Sequence, residues 1–355
     1  MSSPDVVDLT TALCTIPSIT GAEAAVVDEV AARLTKLGAR VTRQRVQHLD
    51  EPSVGRDNLL ATATDAPPEL LLTTHLDTVP PFIAPRIEIV YGKERMIGRG
   101  VIDAKGIAAS MICAWTRLVA AGETRVGLLF VVGEETNSDG AKAATDGGFA
   151  PHVKYFIDGE PTDGQIVRAM KGVMAFELDV EGKAAHSAYP HAGHSALHQL
   201  IADLARLQAE HWHDDADLGP TTLNIGTVHG GVAPNVLAPF AQAVCVMRNT
   251  TDADVLEARI RALLSPTTKM SVRTKSGPQR LVTLPGEPTQ VVAFGSDVPH
   301  LTPLVGSAEK GAVLVGPGSI LDAHTSREGI SLSELRASVD AYERLCKRLL
   351  AGEAR

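Results

Sequence analysis

Residues 70–80 read LLLTTHLDTVP: an apolar run that ends in Thr-Thr and then delivers His75, Leu76 and Asp77 before Pro80 and Pro81 stop any regular structure. The same design recurs. Residues 126–132 are apolar or glycine throughout and discharge into Gly133-Glu134-Glu135-Thr136, and Tyr155-Phe-Ile-Asp158 discharges into Gly159-Glu160-Pro161. Short continuous apolar runs of this kind fit strands buried on both faces, which belong to parallel sheets covered by helices. Side chains two apart share a face of a strand. If the first strand extends to Asp77, the imidazole of His75 and the carboxylate of Asp77 therefore lie together at its carboxyl end, where a carboxylate orients a metal-binding histidine.

The intervening segments supply the helices. Residues 5–17 carry apolar side chains at helical spacing, and Thr20-Gly-Ala-Glu23 reads as a capping box for a helix ending near Leu37, with Gly38 as its stop. Arg40 to Gln47, Asn58 to Ala63 and Glu69 to Thr74 read as strands, residues 85–96 as an exposed hairpin or loop around Tyr91-Gly92, and Ile107 to Ala121 as a long apolar helix after Asp103. Around Lys171-Gly172 the pattern changes to alternating strands at Val173–Val180, Leu223–Val228 and Ala241–Met247. Helices at Ser195–His211 and Ala253–Leu264 join them, the order of a small α+β module. From about Leu281 the first pattern resumes, with a strand at Val313–Val315, a Gly-Pro-Gly turn and a closing helix at Ser333–Leu350. The expected architecture is an α/β domain of residues 1–171 and 279–355, interrupted by an α+β domain of residues 172–278.

Composition narrows the function. A net charge of −9, with no long basic block, argues against nucleic acid as the main partner. No apolar run approaches membrane-spanning length and the N-terminus shows no secretory signal, so the expected location is the cytoplasm. Cys14, Cys113, Cys245 and Cys346 are far apart and form no CxxC pair, which reads as buried thiols rather than a disulfide framework.

Collected at the strand ends, the candidate groups are His75, Asp77, Asp103, Glu134, Glu135, Asp158 and Glu160, with His324 after the Gly-Pro-Gly turn. So many acids in one crevice repel one another, and a divalent metal is the simplest way to keep them ionised. Mixed imidazole and carboxylate donors suit Zn²⁺, with Co²⁺ or Mn²⁺ as substitutes. Glu134 and Glu135 are adjacent, so their side chains diverge. One can bind metal while the other takes the proton of a water.

The motifs HLDTVP, GRGVIDAKG, GEET, DGEPT, KAAHSAYP and GPGSILDAHT, in this order and spacing, resemble the M20 family of dinuclear zinc aminoacylases and peptidases, with acetylornithine deacetylase and succinyl-diaminopimelate desuccinylase as the nearest likeness. The resemblance covers nearly the whole chain. It implies a mixed-sheet, zinc-peptidase-like catalytic domain with an inserted ferredoxin-like lid and dimerisation domain, and a homodimer formed through that domain. It implies two zinc ions: His75 on one, His324 on the other, Asp103 bridging, Glu135 and Glu160 completing one set each, with Asp158 as the rival of Glu160. Glu134 would be the general base and Asp77 would orient His75. The peptide after Asp103 would be cis. His186 would stabilise the oxyanion, within its own chain or across a dimer. Asn235 and Arg248 would meet the substrate carboxylate, although Arg248 is followed by Asn-Thr-Thr where the family commonly has a proline or serine. Apart from the resemblance, Gly316 and Gly318 read as serving backbone geometry first, with their amides available to line the substrate site, and Arg99 and Lys105 read as structural partners of carboxylates. The implied substrate is an N-acyl amino acid, acetylornithine or a relative such as acetylcitrulline or succinyl-diaminopimelate, with a dipeptide as the third choice.

Overall fold

The computed structural model describes residues 3–47 and 55–355, so the first two residues of the N-terminal reading lie outside it. The chain divides into two compact units. The first comprises Met1–Arg168, Arg280–Gln290 and Ser296–Arg355, and the second Ala169–Gln279 with Val291–Gly295.

In the first unit, helices α1 (Val6–Thr15) and α2 (Ala24–Lys36) precede strands β1 (Arg40–Gln47), β2 (Gly55–Thr62) and β3 (Leu70–His75). The exposed hairpin is β4 (Arg86–Val90) and β5 (Lys93–Ile97), turning through Tyr91 and Gly92, both at positive φ. Helix α3 (Lys105–Ala120), β6 (Val126–Val131), short helices α4 (Glu134–Asn137) and α5 (Asp139–Asp146), and β7 (Tyr155–Asp158) follow.

The second unit runs β8 (Gly172–Glu181), α6 (Ala196–Ala209), β9 (Thr222–Gly230), β10 (Phe240–Asn249), α7 (Ala253–Leu263) and β11 (Lys269–Ser276). The first unit closes with β12 (Ala312–Leu314), β13 (Gly329–Ser331) and α8 (Leu332–Leu350).

The main sheet of the first unit has the order β1-β2-β6-β3-β7-β12. The β1/β2 and β2/β6 pairs are antiparallel, whereas β6, β3, β7 and β12 are mutually parallel. Four parallel neighbours put four carboxyl ends on one edge, and that edge receives the polar clusters that end β3, β6 and β7. The strands that carry them are apolar because both faces are covered. β3 and β6 are buried at every position, and α3 is buried along almost its whole length, with Trp115 donating to the Val126 carbonyl at 2.9 Å. α8 is fastened to α3 by a Ser338–Ser110 hydroxyl bond at 2.7 Å, and Tyr342 donates to the carbonyl of Val315 just beyond β12. The four cysteines are buried free thiols.

The second unit is an antiparallel sheet of order β9-β10-β8-β11. Its chain order, strand-helix-strand-strand-helix-strand, is the ferredoxin-like arrangement. The fourth strand, β11, was not anticipated. KMSVRTKS carries little apolar signal because only Met270 is fully buried, and the strand lies at the sheet edge with charged residues facing out.

Two local expectations fail for physical reasons. β3 stops at His75, so Asp77 is not a strand residue; Leu76 and Asp77 turn inward behind it. Thr20 does not cap α2. Its hydroxyl donates to Asp77 at 2.8 Å, and the N-cap position, Glu23, makes no side-chain cap because its carboxylate is bound by Arg56 at 3.0 Å.

Candidate metal centre

The site is assembled from strand ends. His75 closes β3 and is 1 % exposed. Its Nε2 lies 3.0 Å from Asp103 Oδ1, and its Nδ1 lies 3.0 Å from the carbonyl oxygen of Asp77 and 3.5 Å from that residue's carboxylate. The ring is thus oriented by the main chain of Asp77 more closely than by its side chain. The Asp77 carboxylate does something the sequence did not suggest. It accepts from the amides of Gly133 at 2.9 Å, Glu134 at 3.2 Å and Glu135 at 3.1 Å, fixing the start of α4 from beneath. Gly133 is the residue that permits this turn: its φ is +78°, and a Cβ there would come 2.7 Å from Arg56 Nη1.

Asp103 sits between two imidazoles. Oδ1 faces His75, and Oδ2 lies 3.1 Å from Nε2 of His324. His324, at φ +62°, also lies 3.0 Å from Glu135. The Asp103–Ala104 peptide is cis. Donor atoms of His75, Asp103 and Glu135 fall within 4.8 Å of one another, as do those of His75, Glu134 and Glu160. The structure therefore brings together all five expected ligands, His75, Asp103, Glu135, Glu160 and His324, with Glu134 among them. It also shows that distance alone does not separate Glu134 from the ligands.

The electrostatics are those of a site built for cations. Burial, with the charges of Asp297, Glu135 and Asp77, pushes Glu134 well above the usual carboxylate range against the opposing pull of His75. Burial and then Glu134, Asp103 and Asp158 do the same to Glu160. Asp158 is raised to about 8 by burial and by Asp297, itself raised to about 6. His324 is raised to about 10 by its hydrogen bonds to Asp103 and Glu135. Burial works against a charge on His75, but Asp103 and Asp77 outweigh it and hold the imidazole well above its ordinary value. In Asp103 burial is outweighed by His324 and His75, which lower it. The acids gathered here repel one another, and a pair of divalent cations would relieve that repulsion. The donor set, two imidazole nitrogens with several carboxylates around one shared aspartate, fits such a pair.

Asp158 and Glu160 part company here. Glu160 falls in a metal-binding group, whereas Asp158 faces Asp297 and has one buried oxygen without a partner. Asp297 was missed: a lone Gly-Ser-Asp in a loop carries no signal. Glu328 was missed as well, and it proves to be the buried partner of Arg99. Lys105 does not pair with a carboxylate; its amine donates to the carbonyl of Ile16 at 2.8 Å. The Gly318 amide is also engaged, donating to Glu334 at 2.8 Å. The glycine is required by φ +81° and by Ile102, whose Cγ2 would lie 2.5 Å from a Cβ.

In the second unit, His186 and Asn235 are neighbours. Ser187 donates its amide to the carbonyl of Asn235 at 2.9 Å, and His186 bridges to Val236. Both side chains are exposed. Arg248, on β10, has its pKa lowered by burial and makes no ion pair among the described residues.

Comparison with known proteins now places the chain. Residues 168–270 match the peptidase dimerisation domain of M20 proteins. A peptidase M20 domain-containing protein of Schizosaccharomyces pombe is 34 % identical over 347 residues, 96 % of this chain and 84 % of that protein. The chain belongs to the M20 peptidase family. A probable carboxypeptidase of Aspergillus terreus is 35 % identical, covering 94 % of this chain and 84 % of its own length. Among solved structures, an M20 family metallo-carboxypeptidase of Sulfolobus solfataricus shares the fold with a TM-score of 0.73 at 16 % identity, covering 97 % of this chain and 99 % of its own. The M20 fold, a mixed α/β catalytic part with a dimerisation domain, is thus established, and with it membership of a family of metal-dependent hydrolases. No helix among the described residues is long and apolar enough to cross a membrane.

Proposed function

We propose that this chain hydrolyses an amide bond whose amine side carries a free α-carboxylate, as in an N-acyl amino acid, using two divalent cations held by His75, Asp103, Glu135, Glu160 and His324. The observation that carries the reading is the convergence at Asp103. One carboxylate addresses two imidazoles with its two oxygens, and further acids close the cage on either side. His75 and Glu160 would serve one cation, His324 and Glu135 the other, and Asp103 both. Zn²⁺ is the favoured ion, with Co²⁺ or Mn²⁺ as substitutes. Bound there, the cations supply Lewis acidity, which makes a water acidic and polarises a carbonyl.

The chain's own groups do the rest. Glu134 takes the proton of the attacking water and returns it to the leaving amine, and the buried environment that raises its pKa suits both transfers. Asp77 holds Glu134 and Glu135 in register through their amides. His186 donates to the oxyanion. Arg248, a guanidinium with no ion-pair partner among the described residues, would read the substrate's carboxylate, while Asn235, beside His186 and past the opposite end of β10 from Arg248, would share that task from the partner subunit. Gly318 shapes the site through its backbone rather than by offering its amide. Catalysis by a homodimer joined through the second unit is consistent with β9, an edge strand that carries exposed Val228, with exposed Phe240 at the start of its neighbour β10.

The finer substrate is taken to be acetylornithine-like. A C-terminal peptide residue presents the same bond and carboxylate, and the probable-carboxypeptidase relative favours it as the second reading. A panel of N-acetyl and N-succinyl amino acids and dipeptides, each with a carboxyl-amidated analogue, assayed with Zn²⁺ or Co²⁺, separates the two. Turnover insensitive to amidation would reject the carboxylate role of Arg248. Glu134→Ala should abolish turnover while metal content stays near two equivalents, and retained activity would remove Glu134 from the base position.

A further inference from the structure

Glu328 takes no part in the chemistry above, yet it is wholly buried, and its two carboxylate oxygens and its carbonyl are spent on one short stretch of chain. Its Oε1 accepts from the amide of Gly100 at 2.7 Å and from that of Ile102 at 3.4 Å, its Oε2 accepts from the guanidinium of Arg99, and its own carbonyl accepts from Gly98 at 3.0 Å. The stretch so gripped, Gly98–Ile102, leads directly into Asp103. On its other side Glu328 follows His324 by four residues and precedes β13, which pairs with β5 through Gly329 and Ile97. Glu328 therefore ties the loop that presents Asp103 to the loop that presents His324. Arg99 is 2 % exposed and its Nε is without a partner, so nothing but Glu328 balances its charge among the described residues.

The other half of the cluster meets this tie only through Asp103, which both halves share. His75 is fixed at the end of β3 by the Asp77 carbonyl, and Glu160 follows β7. We infer that Glu328, with Arg99, is a positioning residue that sets the separation of Asp103 from His324, and so governs the affinity of the His324–Asp103–Glu135 half of the centre far more than that of the half joined to it through Asp103 alone. This inference rests on the two-cation reading of the site.

The test is a titration of chelator-stripped full-length protein with Zn²⁺ by calorimetry, and with Co²⁺ by visible absorption. Wild type should take two equivalents; fewer than two would refute the two-cation reading itself, and the inference with it. Glu328→Gln keeps an oxygen for the Gly100 amide but removes the charge facing Arg99. One equivalent should bind within about threefold of wild type and the other about ten- to a hundredfold more weakly, the range found for groups that orient metal ligands. Two paired variants guard against loss of folding. Glu328→Asp keeps the charge on a shorter arm, and the double variant Arg99→Met, Glu328→Gln leaves no unpaired charge. Each should show the same one-sided weakening with a metal-free melting temperature near wild type. Equal loss of both equivalents, undiminished binding of both, or failure of all three variants to fold would overturn the inference, since each reduces Glu328 to general stabilisation or to no role at all.

Discussion

The two groups of functional side chains, one in each unit, are built in opposite ways. In the first unit His75, Asp77, Asp103 and Glu160 are each no more than 5 % exposed, and His75, Asp77 and Asp103 are held by partners from other parts of the chain, while His324, which completes the cluster, reaches it from the surface. In the second, His186 and Asn235 are exposed, the imidazole of His186 accepts only from the amide of Ala188 at 3.2 Å, and Arg248 has no ion-pair partner among the described residues. A buried cluster is a set of groups that satisfy one another, so its geometry is fixed before any ligand arrives and its cost is paid in desolvation and repulsion. An exposed group with unused donors costs little to keep and does its work only when something else supplies the acceptor. The first arrangement suits holding cations, the second suits gripping a substrate.

That contrast can be broken by experiment. The largest effect is expected from His186→Ala, which removes an oxyanion donor. A fall of about 10²- to 10³-fold in kcat, with the melting temperature unchanged, is expected, and a comparable loss of thermal stability would show that the exposed group is structural after all. Asp77→Ala should act the other way round. It frees three amides at the start of α4 and should weaken metal binding by about 10- to 100-fold while lowering stability, seen together in metal titration and in chemical denaturation. Unchanged stability would show that α4 does not need its anchor.

The smallest and most general effect concerns pH. The carboxyls of Glu134, Glu160, Asp158 and Asp297 are raised in the folded protein, so the folded state keeps protons that the unfolded chain has already released, and their contribution falls as pH rises above the ordinary carboxylate range. His75 and His324 are raised too. The stability they gain from their acidic partners is complete below about 6.5 and is lost as pH climbs towards their folded values, about 10 for His324. Asp77 and Asp103, held low, lose their contribution only at pH values below the ordinary carboxylate range. The terms of this cluster that fall in the window share one sign and outnumber the opposing one from His300, which burial lowers to about 4. Metal-free protein should be more stable to urea at pH 5.5 than at pH 8.5, and saturating Zn²⁺ should stabilise it more at the higher pH because metal competes with those protons. Metal-free stability that rose with pH would contradict the buried-cluster picture.

The sequence by itself was enough to place the strands that matter. Runs such as 70–72 and 126–131 are apolar on both faces because the sheet is covered on both sides, and a covered parallel strand leaves that trace. That polar groups gather at those strand ends was legible for the same reason, whereas the choice of His75, Asp103, Glu135, Glu160 and His324 as ligands came from the family resemblance. The edge strand β11 escaped because one face of it meets water and the residues there are free to be polar. Tertiary structure alone decided the partnerships. Thr20 looked like a helix cap and became a donor to Asp77, Glu328 looked like nothing and became the counter-charge of Arg99, and Asp297 came to rest beside Asp158. Local patterns report whether a side chain faces core or water, because burial acts on each residue in turn. Which buried charge meets which is settled only when segments hundreds of residues apart close on one another, and no periodicity in the chain records that choice.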